Sequence, residues 1–366
     1  MMKLALAHDY LIQMGGAERV VATMHRHHPR APIFTSAVRR QTLLRDFDDA
    51  DIRTTWLQSL PGIGDPRHFK KYLLLYPAAF RSFAPVQADC VWISTSTFAK
   101  YLRVAPGGRS ICYMHNPTRF LWQADEYVPS EVANPPLRAL IALLSPWLRQ
   151  GDRQAARRMG VLVANSKNVQ ERIRRCYGRE SVVIHPPVRT ESFSISREDD
   201  GTYLILSRLI GYKNIDLAVR AFNRSGKPLV IIGEGSHRAK LEALASPNVR
   251  ILGRQSEETV RDALRRCRAL IFPGHEDFGI VPVEAMACGK PVIALARGGA
   301  IETILPDETG TFFSESTEEA LLEAVARSEA TSWDAERIRQ HAGQFSEEAF
   351  IEATDRLLNK RSSGDE

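Results

Sequence analysis

The chain has 366 residues, 44% of them apolar and 25% charged, with a formal net charge of +6. This length allows two ordinary domains, each burying its own core, while the longest apolar runs, ALIALLSPWL and YLLLYPAAF, fall short of the roughly 18 apolar residues a membrane span needs. The five cysteines, at positions 90, 112, 176, 267 and 288, form no CxxC pair and no zinc-ligand spacing, which excludes a cysteine metal site and points to buried thiols in a reducing compartment.

MKLALAHDY at the amino terminus is nearly continuously apolar, as a parallel strand covered on both faces must be. His8 and Asp9 break the run too early for a signal peptide, so the expected location is the cytosol. The glycines of QMGGAERVV then open an amphipathic helix. Backbone N–H groups at such a turn can cradle a phosphate, and the same glycines serve equally as a tight turn that packs helix on strand. The segment lacks G-x-G-x-x-G, which argues against a nicotinamide site.

PIFTSAV, DIRTTWL, ADCVWISTS and RSICYMHNP read as further strands. Between the second and third of these lies PRHFKKYLLLYPAAFRSF, where Arg67, His68, Lys70, Lys71 and Arg81 flank Leu, Tyr and Phe. Basic residues beside an apolar face are what a helix docked on an anionic membrane needs, a core helix with a solvated end being the alternative; Pro77 should kink or end it. DFDD at 46–49 contains a D-x-D in a polar loop, not in a metal-site context. His115 leaves its strand beside Asn116 and Pro117, at the carboxyl end where α/β sheets bind ligands. GVLVANSKNVQERIRRCYG gives one more strand and a helix capped by Asn165 or Ser166, and SVVIHPPV leads into the polar FSISREDDGT, which marks a linker near residues 190–200.

The second half alternates TYLILSR, PLVIIGEG, VRILG, ALIFP, PVIAL and GTFF with helical stretches, the pattern of a parallel sheet covered on both faces. Arg208 and Lys213 project from the loop after its first strand, where two cations can offset a diphosphate. In FPGHEDFGIVPVEAMACGKPV, residues 272–292, Glu276 lies in a loop and Glu284 is expected at the start of a helix that Pro282 positions. Both carboxylates should face the crevice at the strand ends. SEEAFIEATDRLLNK, residues 346–360, reads as an amphipathic helix with a capping-box start at Ser346.

Glu276, Phe278, Gly279, Glu284, Ala285, Met286, Ala287, Gly289, Pro291 and Val292 resemble the E-x-F-G-x-x-x-x-E-A-x-A-x-G-x-P-V signature of retaining glycosyltransferase family 4, and Cys112–Trp122 is similar to a segment of bacterial polysaccharide mannosyltransferases in that family. The resemblance implies an α/β chain of the GT-B fold: two Rossmann-like doubly wound parallel-sheet domains facing a central cleft. Residues 1–195 would bind the acceptor and 196–345 the nucleotide sugar, while 346–366 would cross back to the first domain as a helix and end in a disordered tail. It also implies roles. Gly15 and Gly16 would lie against the donor diphosphate, His115 would meet the sugar near its reactive carbon, and Arg119 and Trp122 would shape the acceptor side. Arg208 and Lys213 would stabilise the leaving diphosphate without a metal, Glu276 would hold sugar hydroxyls and Glu284 the ribose. Phe278, Gly279 and Ile280 would line the donor site, with base contacts near Gly253 and Arg254.

The expected activity is therefore retaining transfer of a hexose, mannose from GDP-mannose, to a lipid-linked saccharide in bacterial surface polysaccharide synthesis. A UDP-hexose donor is the alternative. Residues 1–200 hold an excess of ten positive charges and residues 201–366 an excess of four negative ones, so the first half should meet an anionic partner. That partner is expected to be the inner face of the plasma membrane, through Arg67, Lys70 and Lys71. A non-enzymatic nucleic-acid binder is the reading from another class, and no interleaved basic and aromatic motif supports it.

Overall fold

A computed structural model describes residues 2–65, 68–124 and 134–360. The chain forms two compact units, one of residues 1–185 and 351–366 and the other of residues 186–350.

All twelve strands read from the sequence form, and among the described residues a short thirteenth arises within SVVIHPPV, the stretch leading into the linker. In the first unit they are β1 (Leu4–His8), β2 (Ile33–Thr35), β3 (Ile52–Thr54), β4 (Cys90–Thr95), β5 (Arg109–Met114), β6 (Val161–Ala164) and β7 (Val182–Val183). They pair in parallel in the order β3-β2-β1-β4-β5-β6-β7. The second unit holds β8 (Tyr203–Leu206), β9 (Leu229–Ile232), β10 (Val249–Gly253), β11 (Ala269–Phe272), β12 (Val292–Leu295) and β13 (Gly310–Phe313). Their order is β10-β9-β8-β11-β12-β13, again all parallel. Each sheet reverses its winding beside its first strand, so the loops leaving β1 and β4, and those leaving β8 and β11, flank a topological switch point.

The second sheet shows why its strands read as unbroken apolar runs. Leu204, Leu206, Leu270, Phe272, Val292 and Ala294 enter one core cluster, whereas Tyr203, Ile205, Ala269, Ile271, Ile293 and Leu295 enter another. The side-chain period of two sends alternate residues to two buried faces.

The segment after β3 departs from the expected single helix. It forms a 3₁₀ turn, Phe69–Tyr72, and a separate helix, Tyr76–Ser82, in which Pro77 occupies the first turn and so starts the helix instead of ending it. Phe69, Leu73, Tyr76, Ala79 and Phe80 enter the core of the first unit, leaving Lys71 exposed. The apolar face is thus spent internally. Arg67 lies outside the described residues, as does the Lys70 side chain. In DFDD, Phe47 is buried and Asp46 pairs with Arg26 at 3.1 Å. An apolar stripe is exposed elsewhere, on the helix Pro135–Arg158, where Leu140, Leu143 and Trp147 are 42%, 69% and 66% exposed.

Two buried charges fasten the loops of the first sheet. Asp9, immediately after β1, accepts from Thr95 Oγ1 at 2.8 Å and from the backbone N–H groups of Ser96, Thr97, Phe98 and Ala99 at 2.6–2.9 Å. Burial opposes its ionisation, but His8, the N–H groups of Ala99 and Ser96, and Lys100 together hold its carboxyl below the usual range. Asp152, inside the helix Pro135–Arg158, pairs with Lys100 at 2.9 Å, both side chains 1% exposed, and accepts from Thr118 Oγ1, Trp122 Nε1 and Tyr177 OH at 2.8–2.9 Å.

All five cysteines are free; burial pushes the Cys112 thiol up to about 12 and Cys90 to about 11, so these two stay protonated. Among the described residues no helix is long and apolar enough to cross a membrane.

Asp152→Asn removes the carboxylate paired directly with the buried Lys100 and leaves it only the more distant Asp9, a loss of about 3–5 kcal/mol that urea unfolding should register as a lower midpoint; adding Lys100→Met should restore part of it. Asp9 has a sign that can be checked by acid titration. Its folded carboxyl ionises at lower pH than the unfolded one, so its contribution is complete above the unfolded pKa of about 4 and fades as pH falls through the folded value. Asp9→Asn should therefore lose stability at neutral pH and show a shallower decline in acid; an acid limb identical to the parent protein's would contradict this role.

Candidate active site

The first unit presents a buried polar chain across the carboxyl ends of its central strands. The register sets His8 opposite Ser94, and His8 Nδ1 lies 3.1 Å from Ser94 Oγ, which is 2.8 Å from His115 Nε2. His115 follows β5, its N–H donating to the Thr95 carbonyl at 2.9 Å and its own carbonyl accepting from Asn165 Nδ2 at 3.2 Å. Of the two candidate caps, Ser166 caps the following helix, accepting from Val169 N–H at 3.1 Å. Asn165 is left to steady His115.

The glycine turn is tied to the same chain. Gly15 caps the helix Gly16–His27, and the Glu18 carboxylate folds back to accept the Gly15 N–H at 2.9 Å. Its other oxygen stands 4.0 Å from His8 Nε2, with both side chains buried. One of the turn's N–H groups is thus engaged by an anion of the protein itself, which opposes a phosphate at that N–H.

Arg119 and Trp122 lie on a single helical turn, Arg119–Trp122. The Trp122 indole N–H is committed to Asp152 at 2.8 Å, and Arg149 and Arg153 stand 5.6 and 4.8 Å from the centre of its ring. Its indole acts as a strut under the loop that carries His115 and Arg119.

In the second unit Lys213 and Glu276 meet as an ion pair. Lys213 sits on the turn Gly211–Lys213 after β8 and is buried; Glu276 follows β11 and is partly exposed. Arg208 is exposed and donates from Nη2 to the Tyr212 hydroxyl at 3.0 Å, while Lys213 Nζ lies 5.2 Å from the centre of the Tyr212 ring. Close backbone approach makes this possible: a Cβ at Gly274 would stand 2.8 Å from Lys213 Cα, and one at Gly233 would collide with the Ser207 carbonyl. Gly299 donates to the Glu276 carbonyl at 2.8 Å, and a side chain at Gly298 or Gly299 would strike the Glu276–Phe278 segment.

The signature segment differs in detail from its reading. The helix runs Ile280–Ala287 with Gly279, at φ 92°, as its cap, so Pro282 stays in the first turn while Glu284 falls beyond it. No acid occupies that first turn, so Glu284 lies beyond the reach of the helix N-terminal dipole. Phe278 is buried edge-on against Phe345 with ring centres 5.6 Å apart, a core contact. Gly253, at φ 69°, ends β10. Glu234 accepts from Arg254 N–H at 3.3 Å and also pairs with Arg238.

Sequence reasoning passed over His8, Ser94 and Glu18 as site residues, although a His or Ser interrupting a doubly buried apolar strand is itself a signal of a paired polar group. It also passed over Gly274, Gly298 and Gly299.

Comparisons with known proteins accord with this architecture. The model for Glycosyltransferase Family 4 matches residues 14–192, and that for Glycosyl transferases group 1 matches residues 188–345. The chain is 31% identical over 192 residues to the GDP-mannose-dependent monoacylated alpha-(1-6)-phosphatidylinositol monomannoside mannosyltransferase of Corynebacterium glutamicum, covering 43% of this chain and 50% of that one. It is 27% identical over 161 residues to the O-antigen chain mannosyltransferase C of Escherichia coli, covering 42% of each. The matched stretches therefore span about half the length of these relatives or less. Anabaena Alr3699/HepE, solved in complex with UDP, superposes with a TM-score of 0.73 at 17% identity, covering 98% of this chain and 99% of that one. With both units of the fold matched by family models that together run from residue 14 to 345, the chain belongs to the family 4 glycosyltransferases of GT-B fold.

Proposed function

We propose that the protein transfers a hexosyl group from a nucleotide diphosphate sugar to an acceptor hydroxyl with retention at the anomeric carbon. The observation that carries the proposal is the cluster Arg208, Lys213 and Glu276 at the carboxyl ends of β8 and β11, a buried cation paired with a half-buried acid at a topological switch point. As the anomeric C–O bond breaks, its electron pair leaves with the diphosphate, and the charge of Lys213 and Arg208 offsets the growing negative charge. In the same reading these side chains supply that charge without a metal. Glu276 both restrains Lys213 and offers acceptor oxygens to sugar hydroxyls, and Glu284 takes the ribose. His115, steadied by Ser94 and Asn165, serves the sugar side from the first unit, with Arg119 toward the acceptor.

GDP-mannose is the donor of this proposal. Its support is the Cys112–Trp122 segment together with the mannosyltransferase names of two relatives, one of them GDP-mannose-dependent. A UDP-hexose is the second reading, favoured by structural neighbours solved with UDP and UDP-glucose. The acceptor is proposed to be lipid-borne, as the name of the Corynebacterium relative says of its own. The exposed stripe Leu140, Leu143 and Trp147, at helical spacing on a helix that ends in exposed Arg157 and Arg158, suits an anionic bilayer surface at the cytoplasmic membrane.

Lys213→Ala and Arg208→Ala should each lower turnover roughly 10²- to 10³-fold with a smaller effect on donor affinity, and parental rates in both variants would overturn the assignment. Equal concentrations of GDP, UDP and ADP in a thermal-unfolding assay decide the base, since only a ligand of the folded state raises the midpoint; a UDP shift with none from GDP would replace the donor and leave the transferase reading intact. Leu143→Glu with Trp147→Glu should reduce sedimentation with anionic vesicles, and equal binding of parent protein to neutral and anionic vesicles would remove the electrostatic part.

A further inference from the structure

The helix Gly16–His27 ends in a run of histidines whose side chains part company. His25 turns inward and stacks on Phe47 with ring centres 5.9 Å apart. His27 and His28 turn instead toward Asp355 of the helix Glu347–Asn359, in the segment that rejoins the first unit after residue 350. His27 Nε2 lies 3.1 Å from Asp355 Oδ2, and His28 Nε2 lies 3.7 Å from Asp355 Oδ1. The two rings meet edge-on with centres 4.7 Å apart, and one ligand atom from each of the three residues falls within 4.8 Å of the others.

As a plain ion-pair cluster this arrangement is incomplete. The His28 Nε2 is buried and makes no hydrogen bond, because 3.7 Å is too long for one. A buried imidazole nitrogen without a partner is uncommon in native proteins. Here it points at a carboxylate that a second imidazole already approaches.

We propose that His27, His28 and Asp355 bind one divalent transition-metal ion of the zinc class, which fastens the returning C-terminal helix to the end of the first helix of the same unit. Ligand bonds of about 2.0–2.2 Å at tetrahedral angles hold neighbouring ligand atoms about 3.3–3.6 Å apart; each imidazole nitrogen stands near that distance from one Asp355 oxygen, 3.1 Å to Oδ2 and 3.7 Å to Oδ1, so small rotations of the rings and the carboxylate bring the set onto one ion. Two imidazoles and one carboxylate suit zinc, nickel or copper, whereas magnesium and calcium take oxygen ligands. Each neutral ring offers Nε2 once its proton sits on Nδ1, and the remaining position is left to water. His27 is exposed and Asp355 partly so, which gives the ion a route in.

The position explains what such an ion would do. The same helix is already held near its end by Arg109, whose guanidinium donates to the Leu357 carbonyl at 3.2 Å, to the Lys360 carbonyl at 2.6 Å and to the Leu358 carbonyl. A metal at Asp355 adds a second fastening to a segment joined through chain positions far apart in sequence, and binding at a preformed site stabilises only the folded state.

The test uses the full chain freed of metal by chelator dialysis and titrated with zinc chloride by calorimetry and with cobalt chloride by visible absorption. The expected result is one equivalent bound, with the cobalt bands of a nitrogen- and oxygen-ligated ion and a raised unfolding midpoint. His27→Gln, a change at an exposed side chain that spares the core, and Asp355→Asn should each weaken zinc binding roughly tenfold or more, as loss of even an outer partner does at metal sites. Absence of stoichiometric binding, or affinity undiminished in both variants while circular dichroism shows them folded, would overturn the proposal.

Discussion

A parallel strand can be joined to its neighbour only through a crossover, so every loop that leaves the carboxyl edge of these sheets leads into a helix or a turn on one face or the other. The chain lays down β1, β2 and β3 in one direction, returns to the far side of β1 for β4, and repeats the manoeuvre with β8 to β11. The loops after β1 and β4, and after β8 and β11, therefore part from one another, and the gap they leave has no strand to fill it. His8, Ser94 and His115 on one sheet, and Lys213 and Glu276 on the other, take their positions from this single constraint.

Such an opening exposes backbone groups that a closed core would pair, and the first unit meets the problem with buried charge. Asp9 gathers one hydroxyl and four backbone N–H groups from the loop after β4. That count of donors is what lets a carboxylate remain ionised in the interior despite the cost of burial. Asp152 does the corresponding work beyond His115, joining Lys100, Thr118 with Trp122, and Tyr177 from three separate segments. Asp9 thus ties the loop after β4 to the end of β1, and Asp152 ties the turn that follows His115 to the helix Pro135–Arg158.

The second unit reaches rigidity by a different route, the omission of side chains. Gly233, Gly274, Gly298 and Gly299 each stand where a Cβ would press into neighbouring backbone. The loops after β8, β9, β11 and β12 can therefore pack directly on one another, and Lys213 is buried with its charge directed at Glu276. A lysine held this way has already given up most of its side-chain freedom in the folded state.

The sequence alone determined the elements. Strands such as VIAL and YLIL are apolar throughout because both of their faces are buried, a local pattern that survives in any arrangement of the sheets and makes them legible, whereas the two-residue edge strand Val182–Val183, partly exposed, carries no such signal. The string from Glu276 to Val292 carries the family resemblance in residue types and spacing alone. Partnership was the part left to the tertiary structure. Nothing local distinguishes an apolar helix face that enters the core, as at Phe69–Phe80, from one left exposed, as at Leu140–Trp147, since periodicity is the same in both. Nor does residue type say that the Trp122 indole is held by Asp152, that Glu18 occupies the Gly15 N–H, or that two histidines near residue 28 meet an aspartate at 355. The Glu18 pairing is local and is fixed by the start of one helix, but the other pairings join segments tens to hundreds of positions apart, and only the order of strands in the finished sheet, a property of no single segment, brings them within reach.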